Sequence, residues 1–163
     1  MTEIFSVTGM TKEEKYQSLV AVAVSLMRGE NDLIANMANV TAVIKEVFGF
    51  LWVGFYRVSG DELILGPFQG PVACTRIKKG RGVCGVAWEK NESIIVPDVN
   101  GFAGHISCSP KSKSEIVIPV SVNNRIIGVL DIDSECLNTF DNTDEKYLSL
   151  ILTELTGFAE LKN

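Results

Sequence analysis

An α+β fold is predicted, with a central antiparallel sheet of about six strands and helices from both chain ends packed on one face. Three observations predict it. Helix-period apolar stripes are confined to the two ends of the chain, and short β-branched and aromatic runs fill the middle. Short connections between those runs favour antiparallel pairing. At 163 residues the chain reads as one domain over 1–163, large enough to bury a core without disulfide or metal staples.

Residues 11–28 carry Tyr16, Leu19, Val20, Ala23, Val24 and Met27 along one stripe. Thr11 followed by Glu14 is a capping-box pattern, and Gly29 ends the helix. Asn31 is the expected cap of a second helix, in which Leu33, Met37, Val40, Ile44 and Val47 recur at helical spacing and Gly49 closes the run. From Leu51 the period changes. LWVGFYRV reads as a strand, Ser59, Gly60 and Asp61 as a turn, and ELILGPFQ as its hairpin partner. A further strand is expected from Pro71 to Arg76. Gly80, Gly82 and Gly85 then interrupt the regular pattern, and the stretch KKGRGVCG reads as a flexible loop. SIIVPDV is a strand, and residues 100–114 are loop by composition. EIVIPVSV and RIIGVLDID form a hairpin across Asn123 and Asn124. Asn142 or Thr143 opens a final helix with Tyr147, Leu148, Ile151 and Leu155 on its inner face. The sheet face away from the helices is expected to be partly roofed by long loops.

Apolar residues make up 46% and charged residues 21%, which excludes a disordered or collagen-like chain. A net charge of −5 argues against nucleic acid or an anionic membrane as the main partner and leaves small molecules and proteins. The apolar stretch from Leu19 to Met27 already contains Ser25, far short of the roughly 20 apolar residues of a membrane span. The opening MTEIFSVTGM has no basic region followed by an apolar run, so no secretory signal is read, and a cytoplasmic protein is expected.

The four cysteines are Cys74, Cys84, Cys108 and Cys136, with one histidine, His105. Their spacing offers no chelating knuckle, so no metal site is expected. Cys136 reads as a buried small hydrophobe. Cys108 lies in an accessible loop with His105 before it and Lys111 and Lys113 after it, and positive neighbours favour the nucleophilic thiolate. The plain alternative for the lysines is a solvated loop. Cys84 sits in glycine-rich, basic text that lacks P-loop spacing. In LWVGFYRV, Trp52, Gly54 and Tyr56 share a face, so two rings flank a position without a side chain. This is either core packing or a slot for a small apolar or sulfur-bearing group. Asp131 and Asp133 share a face at a strand end, and Glu115 begins the neighbouring strand. These acids either run out into water or converge as a cluster awaiting an ammonium group, with one proton retained near neutral pH.

The segments DELILGPFQGPVACTRIKKGRGVCG, IIVPDVNGFAGHISCSPKSKSEIVIPV and IIGVLDIDSE resemble the free methionine-(R)-sulfoxide reductases, single-domain enzymes of the GAF fold. The likeness covers nearly the whole chain. It implies reduction of free L-methionine-(R)-sulfoxide through a thiolate, sulfenic acid and disulfide relay recycled by thioredoxin, without a bound cofactor, in a homodimer. It implies Cys108 in GHISC as the catalytic cysteine, Cys84 in GVCG as the usual resolving cysteine and Cys74 in ACTRI as a third. Trp52 and Tyr56 would line the pocket for the methyl end. Glu115, Asp131 and Asp133 would hold the amino group and help protonate the sulfoxide. HISCS departs from the family's usual HIACD: Ser109 stands where an aspartate is usual, and Ala103 where a proline is. A non-catalytic GAF module sensing a small ligand is the alternative function.

Overall fold

The computed structural model describes residues 7–106 and 109–160. In chain order its elements are α1 Lys12–Met27, α2 Leu33–Phe48, β1 Trp52–Ser59, β2 Glu62–Gln69, β3 Arg76–Lys78, α3 Gly82–Lys90, β4 Ile94–Val96, β5 Ser114–Val122, β6 Arg125–Ser134 and α4 Asn142–Glu160, with a 3-10 turn at Val99–Gly101. No described helix is long and apolar enough to cross a membrane.

The capping box at the start of α1 is formed: Thr11 Oγ1 accepts from the Glu14 amide, and the Glu14 carboxylate accepts from the Thr11 amide at 2.7 Å. Tyr16, Leu19, Ala23 and Met27 are buried along that helix. The cap of α2 is Asp32 rather than Asn31. Either side chain can cap, and Asp32 Oδ1 takes the Ala35 amide at 2.9 Å. Gly49 closes α2 at φ +68°. The N-termini of α1 and α4 are joined by a polar cluster. Tyr16 donates its hydroxyl to the fully buried Asp144 at 2.6 Å, and Lys12 pairs with Asp144 and with Asp141.

The six strands form one antiparallel sheet in the order β3-β2-β1-β6-β5-β4. Asn123 and Asn124 both have positive φ, as the tight β5–β6 hairpin requires. Alternation along the strands divides the apolar residues into two cores. Val53, Phe55, Ile116, Ile118, Leu130 and Ile132 face α1, α2 and α4. Trp52, Tyr56, Val117 and Val129 face the other way, where Val83, Cys84 and Trp88 of α3 pack on them. Each large apolar side chain buried in these cores contributes about 1.5–3 kcal/mol.

Two expectations are corrected. The strand expected from Pro71 to Arg76 starts only at Arg76. Pro71 has no amide for a ladder, and the carbonyls of Pro71 and Cys74 are taken by side chains of β1 instead. The stretch read as a flexible glycine loop is largely the helix α3. A Cβ at Gly85 would stand 2.5 Å from the Lys78 carbonyl oxygen, so this glycine serves a close approach of α3 to the end of β3. The second face is therefore roofed by a helix as well as by loops.

Candidate active site

Strand register brings the predicted acids and rings together. Trp52 of β1 lies opposite Asp133 of β6, which lies opposite Glu115 of β5. The next row on the same face is Gly54, Asp131 and Val117. A cavity of about 40 Å³ sits over these rows, lined by Trp52, Tyr56, Cys84, His105, Glu115, Asp131 and Asp133 among others.

At the acidic end, ligand atoms of Cys84, Glu115 and Asp131 all lie within 4.8 Å of one another, and all three residues are buried. This is a geometry that can hold a cation. Burial first, then the neighbouring Glu115 and Asp133 charges, pushes the Asp131 carboxyl well above the usual range. Burial and the Asp133 charge push Glu115 up to about 8. Burial also raises Asp133, against the bond from the Ser112 hydroxyl and the charge of His105, which hold it down. Glu115 thus keeps a proton at neutral pH. Glu115 Oε2 and Asp131 Oδ1 are buried without a hydrogen-bond partner. His105 Nε2 comes within 3.5 Å of Glu115 Oε2 without hydrogen-bonding geometry. Two acceptors without donors, in a nest of acids, fit a small cationic donor such as an ammonium.

At the other end, Trp52 stacks on Tyr56 at 5.9 Å between ring centres and on Phe68 at 5.5 Å. The gap expected at Gly54 is filled by the indole itself. A Cβ there would stand 2.2 Å from Trp52 Cη2 and 2.6 Å from Phe68 Cβ. The glycine lets the indole lie flat on the strand, and the apolar wall is the face of that stack rather than a slot between two rings. Both rings also carry polar anchors: Trp52 Nε1 donates to the Pro71 carbonyl at 3.1 Å, and the Tyr56 hydroxyl donates to the Cys74 carbonyl at 3.0 Å.

The cysteines are distributed as follows. Cys108 lies outside the described residues. Cys74 is disulfide-bonded. Cys84 and Cys136 carry free thiols. Cys84 stands in α3, not in a loop, and burial followed by the Asp131 and Glu115 charges raises its thiol well above the usual range. Cys136, expected to be buried, is exposed. Lys111 is exposed and pairs loosely with Glu135 at 3.8 Å, which leaves Glu135 out of the acid cluster. Ser109 lines the cavity, and its hydroxyl accepts from the Lys111 amide at 3.3 Å.

Phe68 and Ser112 were not among the predicted site residues. Phe68 lies outside the cavity lining and backs the Trp52 ring because β2 carries an extra residue opposite Gly54 and Tyr56, a bulge that strict alternation does not reveal. Ser112 reaches Asp133 from an irregular loop, where periodicity says nothing about direction.

Residues 32–157 match the family model described as GAF domain. The chain is 58% identical over 153 residues to GAF domain-containing protein A of Dictyostelium discoideum, covering 93% of this chain and 97% of that protein. It is 46% identical over 147 residues to a protein of Escherichia coli (strain K12) named free methionine-R-sulfoxide reductase, covering 90% and 89%. It superposes with a TM-score of 0.91 on the X-ray structure of free methionine-R-sulfoxide reductase from Neisseria meningitidis in complex with its substrate, at 48% identity and covering 94% of this chain and 93% of that one.

Proposed function

This chain belongs to the GAF-domain family and, within it, to the free methionine-R-sulfoxide reductases, and on that premise we propose that it reduces free L-methionine-(R)-sulfoxide with Cys108 as the nucleophile. One observation carries the reading of the site: a single cavity is acidic at one end and ring-lined at the other. The unpartnered oxygens of Glu115 and Asp131 suit the substrate's α-ammonium. The Trp52 and Tyr56 rings suit its methyl end. A methionine within a polypeptide has no such ammonium, so the same acids select the free amino acid.

In the proposed reaction a proton held by the acid cluster goes to the sulfoxide oxygen. As the sulfur gains positive character, the facing rings stabilise it by about 0.5–2 kcal/mol. The Cys108 thiolate attacks, the oxygen passes to Cys108 as sulfenic acid, and methionine leaves. Cys74 then attacks the Cys108 sulfur, water departs and a disulfide forms. A dithiol partner, thioredoxin, restores both thiols by exchange. Two observations favour Cys74 over Cys84 as the resolving cysteine. Cys74 is the one already engaged in a disulfide, and Cys84 has a buried thiol held protonated among acids. No step calls on a metal, flavin or nicotinamide bound to the chain. The relay suits a reducing cytoplasm, and we place the protein there as a homodimer.

A coupled assay with thioredoxin, thioredoxin reductase and NADPH decides the matter. NADPH is consumed with the free R-sulfoxide and not with the S-sulfoxide. The N-acetylated R-sulfoxide loses on the order of 1,000-fold in kcat/KM, because it leaves the buried acids without their donor. Equal rates on the free and N-acetylated compounds would refute the assigned site.

A further inference from the structure

We propose that Tyr56 and Trp52 are positioning residues for the disulfide-forming step, because their polar atoms hold the segment that carries Cys74 beside the cavity. The inference rests on the reading of Cys74 as the resolving cysteine. The segment 71–75 belongs to no strand. Val72 within it is 87% exposed, while Ala73 and Cys74 are partly buried against the core on the α3 side of the sheet. Side chains hold the segment at two carbonyls, that of Pro71 by Trp52 Nε1 at 3.1 Å and that of Cys74 by the Tyr56 hydroxyl at 3.0 Å, and the Leu65 amide takes the Thr75 carbonyl at 3.0 Å. Just before it, Gly70 at φ +136° packs so closely on the indole that a Cβ would stand 2.8 Å from Trp52 Cδ1. Both rings are themselves buried, Trp52 at 4% and Tyr56 at 1% exposure.

Disulfide formation requires the Cys74 thiolate to attack the Cys108 sulfur as the S–O bond breaks and the oxygen leaves as water after taking a proton. The rate and the equilibrium both depend on how far the attacking thiol is already placed before the bond forms. A segment freed from its anchors loses more conformational freedom on closing the disulfide. The rings that face the substrate's methyl end thus also set the effective concentration of the second thiol, and one wall serves both half-reactions.

The first measurement needs no substrate. Wild type, Tyr56→Phe and Trp52→Phe are equilibrated in graded dithiothreitol redox buffers, and thiols are counted by mass after alkylation. The equilibrium constant for closing the Cys74 disulfide is expected to fall roughly three- to tenfold in each variant, the weight of one net hydrogen bond. Tyr147→Phe removes a hydroxyl that donates to Glu13 at 2.7 Å on the helical side and is expected to leave the constant at the wild-type value. During turnover, dimedone is expected to trap more sulfenic acid in Tyr56→Phe than in wild type. A folded Tyr56→Phe with the wild-type constant and no added sulfenic acid overturns the proposal. So does an equal fall in Tyr147→Phe, which would mark a general loss of stability. If Trp52→Phe does not fold, Tyr56→Phe decides alone. Failure of wild type to reduce the sulfoxide would refute the proposed activity, while the redox equilibrium would still report on the anchors.

Discussion

Gly54 illustrates how a missing side chain shapes this site. The indole of Trp52 occupies the space above it, so Gly54→Ala must displace either the ring or the strand. A loss of roughly 1–3 kcal/mol in urea unfolding is expected, together with weaker binding of free methionine. The cysteines divide in a similarly local way. Cys74→Ser is expected to complete one turnover and then stop under thioredoxin, whereas Cys84→Ser continues to cycle. The reverse pattern would return the resolving role to Cys84. The acids make a third prediction. Glu115, raised to about 8, holds a proton at neutral pH, and an ammonium that takes its place must displace it. Calorimetric titration of methionine at pH 7 in buffers of different ionisation enthalpy should show net proton release. Heats independent of the buffer would contradict it. The convergence of these acids was readable in advance, because alternation along two hairpin strands dictates which side chains share a face. The partners Ser112 and Phe68 were not, since one stands in a loop and the other behind a bulge.

At the level of elements, the long helices and strands were legible because their periods extend over several turns or pairs. The segments around Cys74 and Cys84 were not. Both are short, and tertiary contacts decide their form: side chains of β1 take the Pro71 and Cys74 carbonyls, and α3 gains its place by close packing at Gly85. The junction of α1 and α4 is a buried polar tie between elements distant in sequence. Asp144→Ala removes the acceptor of the Tyr16 hydroxyl and one partner of Lys12, leaving a buried donor unsatisfied. Roughly 2–4 kcal/mol should be lost in chemical denaturation, with sulfoxide binding to the folded fraction preserved. A change in that binding would show that the two faces of the sheet are coupled.

For the molecule as a whole, the acid cluster sets how stability varies with pH. Glu115 binds a proton far more tightly folded, at about 8, than its usual 4.5. Between those values the folded state holds more protons than the unfolded one, so stability falls as pH rises through that window. Unfolding midpoints of the ligand-free protein should therefore decline from pH 5 to pH 8, and Glu115→Gln should flatten the decline. A midpoint that climbs across this range would contradict the assigned protonation.

The division into two cores has an optical corollary. Both tryptophans of the chain, Trp52 and Trp88, belong to the face that carries the cavity, and the helical face has none. Ultraviolet-excited indole emission is thus a built-in reporter on that side alone. Occupancy of the pocket should change its intensity or colour, while events among the terminal helices pass unseen.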